Sequence, residues 1–84
     1  MRPILTLRHY TEDLIVHSHD HAQLVFGLSG ALDFEVGGHG SQVVQQSFVV
    51  VPSGFHHACG SANGSRCLVL DVPSDQWVSQ SLGD

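Results

Sequence analysis

The chain has 84 residues, enough for one small domain spanning 1–84 and too few for two. Hydrophobic residues make up 42% and charged residues 13%, a balance that excludes a disordered tail. The formal charge of −5 sets eight acids against Arg2, Arg8 and Arg66 with no lysine, so this chain offers no basic face to nucleic acid and no polybasic segment to an anionic membrane.

The opening MRPILTLRHYTED holds only a short apolar run behind Arg2, well below a signal-peptide core or a spanning helix, and a cytoplasmic protein is expected. Ile4 to His9 reads as a first strand. Next comes HSHDHAQ. His17 and His19 are two apart, so in an extended segment they leave the same face about 6 to 7 Å apart, within reach of one cation. The chain is expected to turn at Asp20 and leave His21 facing water.

Further strands are expected at Gln23–Leu28, Ala31–Val36, Gln42–Gln45, Phe48–Val51 and Cys67–Val72, separated by Ser29-Gly30, Gly37-Gly38-His39-Gly40, Pro52-Ser53-Gly54 and Asn63-Gly64. No window sustains helical spacing of apolar residues, so the rhythm is all-β, of sandwich or barrel type. Leu32, Phe34 and Val36 alternate with Asp33 and Glu35, which places the acids in water. Leu24-Val25-Phe26 and Phe48 to Val51 do not alternate. Both faces of those strands need a cover, either from the chain's own sandwich or, as the economical cover, from a second subunit: a homodimer is expected.

Cys59 and Cys67 flank the turn-like GSANGSR and are expected to face each other across a hairpin as thiols, since no CxxC pattern or secretory context favours a disulfide. Pro73 to Asp84, with Trp77, follows a strand without a capping element, and the domain is expected to continue beyond it.

After the Pro-x-Gly turn of PSGFHH, a returning strand could lay His57 beside the first histidine pair. His17, His19 and His57 with the amide oxygen of Gln23 then form a candidate metal site. Imidazole nitrogens suit zinc, iron, nickel and copper, and three of them leave a coordination position open. Protonation would compete, so metal affinity is expected to fall below about pH 6.5.

These motifs resemble those of the cupins. His17-Ser18-His19, then Gln23 and Gly30, follow the first cupin motif, HxHxxxExxxxxxG, except that Gln23 stands where a metal-binding glutamate is usual. Pro52, Gly54 and His57 follow the second, GxxxxxPxGxxHxxxN, with Gln46 at its leading glycine and Ser61 at its closing asparagine. The resemblance runs over residues 9 to 72 and implies a small double-stranded β-barrel, or jelly-roll sandwich. It also implies a divalent transition metal (zinc, iron, nickel or manganese) on His17, His19, Gln23 and His57. An amide binds metal weakly and cannot act as a general base, so the substitution weighs against enzymatic use.

Within the cupins, HSHDHAQLVFGLSGALDFEVGG and FVVVPSGFHHA look most like the N-terminal effector-binding and dimerisation domain of AraC-type transcriptional regulators. That implies a small-molecule effector in the barrel, a homodimer, and DNA contacts made by a separate C-terminal domain. Two other readings compete with this one. The first is a small metal-dependent cupin enzyme of the dioxygenase or isomerase class; the second is a stand-alone binding cupin with its histidines merely hydrogen-bonded.

Overall fold

A computed structural model describes residues 3–12, 15–18 and 20–72, the side chains of 15, 17 and 18 excepted. The expectations for His19, Trp77 and the Pro73–Asp84 tail lie outside these residues. Among the described residues eight strands are formed: β1 (Ile4–Tyr10), β2 (Ile15–Ser18), β3 (Ala22–Gly30), β4 (Leu32–Val36), β5 (His39–Val43), β6 (Phe48–Val51), β7 (His56–Gly60) and β8 (Ser65–Val72). They make two four-stranded sheets in the orders β1-β8-β3-β6 and β2-β7-β4-β5, with every pair antiparallel. This is an all-β sandwich, as the spacing of apolar runs and turn residues predicts.

The core lies between the sheets and follows from strand parity. Val25 on β3, Val51 on β6 and Cys67 and Val69 on β8 face Leu32 and Phe34 on β4, Val43 on β5 and Cys59 on β7, all of them buried. Tyr10, Val36 and Val49 pack against this cluster. Leu32 and Phe34 are buried while Asp33 and Glu35 are exposed, which is the alternation read from the sequence. A second small cluster joins buried Ala22 and Val72 to Val50 and Leu70.

Two expectations change here. β5 begins at His39 rather than Gln42, because its polar residues are recruited by pairing with β4 from Val36↔His39 to Leu32↔Val43. The cysteines do not sit on a hairpin. β7 pairs with β2 and β4 whereas β8 pairs with β1 and β3, so the connection between them crosses from one sheet to the other. Ser61 anchors that crossing: its N–H donates to Thr11 O at 2.7 Å and its hydroxyl to Ala31 O at 2.6 Å. Both cysteines are buried free thiols. Burial pushes each thiol pKa up, and the neighbouring Cys67 adds to the effect on Cys59.

The crossing from β3 to β4 uses a left-handed glycine. Gly30 has φ 73°, and a Cβ there would overlap the carbonyl oxygen of Gly64. The effect for the interior is that β7 and β2 supply one wall and β3, β8 and β1 supply the facing wall. Among the described residues no helix is long and apolar enough to cross a membrane.

Candidate binding site between the sheets

His57 is the second residue of β7, which follows the Pro52–Gly54 turn; Gly54 takes the left-handed φ of 81° there. Its register partners are Val36 on β4 and His17 on β2. Odd-numbered residues of β7 face inward, and His57 is only 3% exposed. Its ring lies nearly parallel to that of Phe34, with centroids 5.5 Å apart and an interplanar angle of 7°, which fixes the plane of the imidazole. The pairing of β2 with β7 therefore brings positions 17 and 57 side by side from segments forty residues apart in the chain.

Gln23 belongs to the facing wall. It is buried on β3 with Val51 on one side and Asp71 of β8 on the other. Its amide nitrogen donates to Asp71 Oδ1 at 2.6 Å. The same oxygen lies 2.9 Å from His21 Nε2, and Oδ2 accepts from Arg8 Nη2 at 3.2 Å. Burial by itself would raise the Asp71 pKa. The donors Gln23 and His21 and the charge of Arg8 together outweigh it and hold the carboxyl below its ordinary value.

His21 does not face water, contrary to what a turn at Asp20 predicts: its side chain is only 19% exposed and it is bonded to Asp71. The reason is that β3 opens at Ala22, so His21 stands at the strand mouth, where its ring can fold back over the inner wall toward an anion.

The four sequence-predicted ligands thus divide as follows. His57 is buried on the inner wall and His17 is its cross-strand neighbour; Gln23 is buried on the opposite sheet; His19 lies outside the described residues. Among the described residues there is no group of three or more His, Cys, Asp or Glu side chains able to hold a metal. Neither the His17 side chain nor His19 belongs to that set.

Asp71 and Arg8 escaped the sequence reading. The available signal was parity: in the apolar run from Cys67 to Val72, Asp71 shares the face of Cys67 and Val69, so it had to point inward and find partners. Arg8 sits on the same inner face of β1, opposite Cys67.

No protein-family model matches the chain. A curated relative, an uncharacterised HTH-type transcriptional regulator of Bacillus subtilis, is 35% identical over 66 residues, which is 79% of this chain and 27% of that protein. Among solved structures, a conserved protein of unknown function from Streptococcus pyogenes superposes with a TM-score of 0.78 at 22% identity, covering 86% of this chain and 65% of that one. A cupin-2 domain protein from Shewanella frigidimarina gives 0.75 at 14% identity, covering 81% and 68%. A cupin superfamily protein from Desulfitobacterium hafniense gives 0.76 at 15% identity, covering 84% and 67%. The chain spans about a quarter of the length of the Bacillus relative and just under two thirds of the Streptococcus protein.

Proposed function

From the cupin fold that these superpositions establish, we propose that this chain is the small-molecule-sensing domain of an HTH-type transcriptional regulator. The observation that carries the reading is the 35% identity with the Bacillus regulator over 66 residues. In this reading the effector binds against the inner walls beside His57 and Gln23, and DNA is contacted by segments other than this chain. The acidic balance of eight acids to three arginines suits that division of labour in a cytoplasmic protein. Binding shifts the domain between two arrangements in proportion to the effector's differential affinity for them.

A divalent metal fits the interior in donor chemistry. His17, His19 and His57 would hold it through neutral imidazoles and Gln23 through its amide oxygen; the metal would supply a positively charged anchor for an oxygen-bearing effector. Gln23 cannot take up a proton as a glutamate could, which favours binding over turnover.

The same reading makes the chain a homodimer through the outer face of the β1-β8-β3-β6 sheet. Leu5, Leu7, Leu24, Phe26, Phe48, Val50, Leu68 and Leu70 occupy the outward parity of those four strands.

Thermal unfolding in the presence of candidate small metabolites, and of zinc, nickel and manganese salts, tests the sensing reading. A true effector at about a hundred times its Kd stabilises by about 2.7 kcal/mol, a shift of ten degrees or more in a domain of this size. Unchanged melting across metals and metabolites would count against it.

A further inference from the structure

We propose that this chain binds a small monocarboxylate in a second site, a groove around Arg66 at the end of the β1-β8-β3 sheet opposite Gln23 and Asp71. Arg66 stands near the start of β8 and Asp71 near its end, about 17 Å apart at about 3.3 Å per residue, so the two places do not share a small ligand. The site is therefore independent of the sensing reading.

The groove begins with a row of polar side chains. His9 on β1 and Ser29 on β3 are both register partners of Arg66 on β8, and all three residues are exposed. Neighbouring strands run about 4.8 Å apart, so the row spans about 10 Å. One step along the same face the matching row is Leu7, Leu68 and Phe26. On β3 the change of character comes from the register shift: pairing passes from Gly27↔Cys67 to Ser29↔Arg66 and skips Leu28. An irregularity of this kind re-aims the strand, and here it puts a hydroxyl rather than a leucine beside the guanidinium.

The groove has a volume of about 480 Å³, the scale of a small-molecule site, and its lining includes Tyr10 and Ser65 as well as the polar row. Ser65 is buried. Its hydroxyl has no nitrogen or oxygen partner among the described residues, only the weakly bonding Cys67 thiol beside it. A buried hydroxyl in that position is a polar group that a ligand can satisfy.

Charge selects the class of ligand. Arg66 makes no ion pair among the described residues, and no acid is among those that line the groove. Arg8, by contrast, is engaged by Asp71. A planar guanidinium presents paired N–H donors that match the two oxygens of a carboxylate, and the His9 ring and Ser29 hydroxyl can donate from either side. One fixed positive charge balances one negative charge. A phosphate carrying nearly two would meet the repulsion of a chain whose formal charge is −5.

The test is a titration of the full chain with benzoate, followed by amide NMR shifts. Saturable shifts are expected at positions 9, 10, 29 and 64–66, with benzamide, the uncharged counterpart, binding at least about 10-fold more weakly. Arg66→Gln should weaken benzoate binding about 10-fold or more, and Arg66→Lys, which keeps the charge without the fork, by a smaller factor. Because Arg66 is exposed, both variants should keep the fold, which an unchanged spectrum away from the groove would verify. Equal affinity in Arg66→Gln, or no saturable shift at these positions in the wild type, overturns the proposal. Inorganic phosphate binding there more tightly than benzoate overturns the assigned class. Shifts confined to the surroundings of His57 and Gln23 overturn this site while supporting the sensing reading.

Discussion

An aspartate on the inner wall of a sandwich keeps its charge only when donors replace the water it has lost, and Asp71 has three of them. Its folded pKa lies below the unfolded value of 3.8. The sign follows: this carboxylate stabilises the fold at pH values above 3.8, and the contribution is lost as pH falls through the lower folded value. Asp71→Asn should cost about 1–2 kcal/mol at neutral pH, discounted because Arg8 is 35% exposed and partly screened. In urea titrations the gap between wild type and variant should close as pH falls from 7 toward about 2. A gap that persists at low pH would mean that packing, not charge, is what the substitution removes. A second residue-scale effect sits at Gln46, which is held at φ 66° in the turn before β6. A side chain there costs about 1 kcal/mol that glycine does not, offset in part by the flexibility glycine adds to the unfolded chain. Gln46→Gly should therefore raise stability by about 0.5 kcal/mol, seen as an increased midpoint in chemical denaturation; an unchanged or lower midpoint would show that the turn tolerates glutamine without strain. Gln46 was legible as a departure from the cupin motif. Why glycine suits that position is visible only in the backbone angle.

At the scale of elements, the sequence disclosed strands wherever apolar residues carried the pattern and failed where polar residues did. β4 was plain because Leu32, Phe34 and Val36 alternate with Asp33 and Glu35, whereas β5 was mislaid by three residues because HGSQ has no strand preference of its own. Partnership with β4 makes it a strand. Gly27 shows the same dependence on neighbours. It interrupts an apolar run with no evident need for a turn, yet it lies where the β3–β8 register shifts, between Gly27 and Ser29. Its N–H donates to Ser47 O at 2.8 Å and its carbonyl accepts from Gln46 N at 3.0 Å. A Cβ at this position would overlap the Val44 carbonyl, which belongs to backbone and cannot swing aside. Gly27→Ala should thus push the 44–47 turn away from β3 and destabilise by about 2–4 kcal/mol, a loss readable as a melting temperature lower by ten degrees or more. Near-wild-type melting would show that the turn can move freely, and that its hydrogen bonds to Gly27 contribute little.

At the scale of the molecule, the two outer faces differ in kind. Asp33, Glu35, Gln42 and His56 occupy the outside of the β2-β7-β4-β5 sheet, while the outside of the other sheet is apolar across all four strands. The sequence announced this through Leu24 to Phe26 and Phe48 to Val51, which are apolar at both parities. It left undetermined which side chains go inward, and the structure settles that: Val25, Val49 and Val51 line the interior, with Leu24, Phe26, Phe48 and Val50 outside. The candidate site was legible in the same partial way. Histidine spacing pointed to positions 17 and 19, and the Pro-x-Gly turn to a strand that could return position 57 beside them, which the β2–β7 register does for position 17; the partners of Gln23 depend on strand register, which no local pattern in the sequence fixes.

The apolar face is most open at its two edges. Leu5 is 65% exposed, Leu7 53% and Phe48 61%, on the two edge strands β1 and β6 that bound the face. Four strands about 4.8 Å apart, read over some six residues at about 3.3 Å each, span roughly 400 Å², a patch of the size that on small proteins commonly marks a contact site. Two copies laid face to face by a twofold axis would match leucine to leucine, since a self-complementary apolar surface needs no other partner chemistry. Two such faces together bury about 800 Å², below the range of a standard stable interface, so association at micromolar rather than nanomolar concentration is expected. Sedimentation velocity over a concentration series should show a monomer giving way to a dimer. Leu5→Ser combined with Phe48→Ser should hold the protein monomeric at every concentration. Because both side chains are mostly exposed in the single chain, the double variant should change the stability of the monomer by no more than about 1 kcal/mol. A wild-type chain that stays monomeric throughout, or a double variant that still dimerises, would move the interface elsewhere.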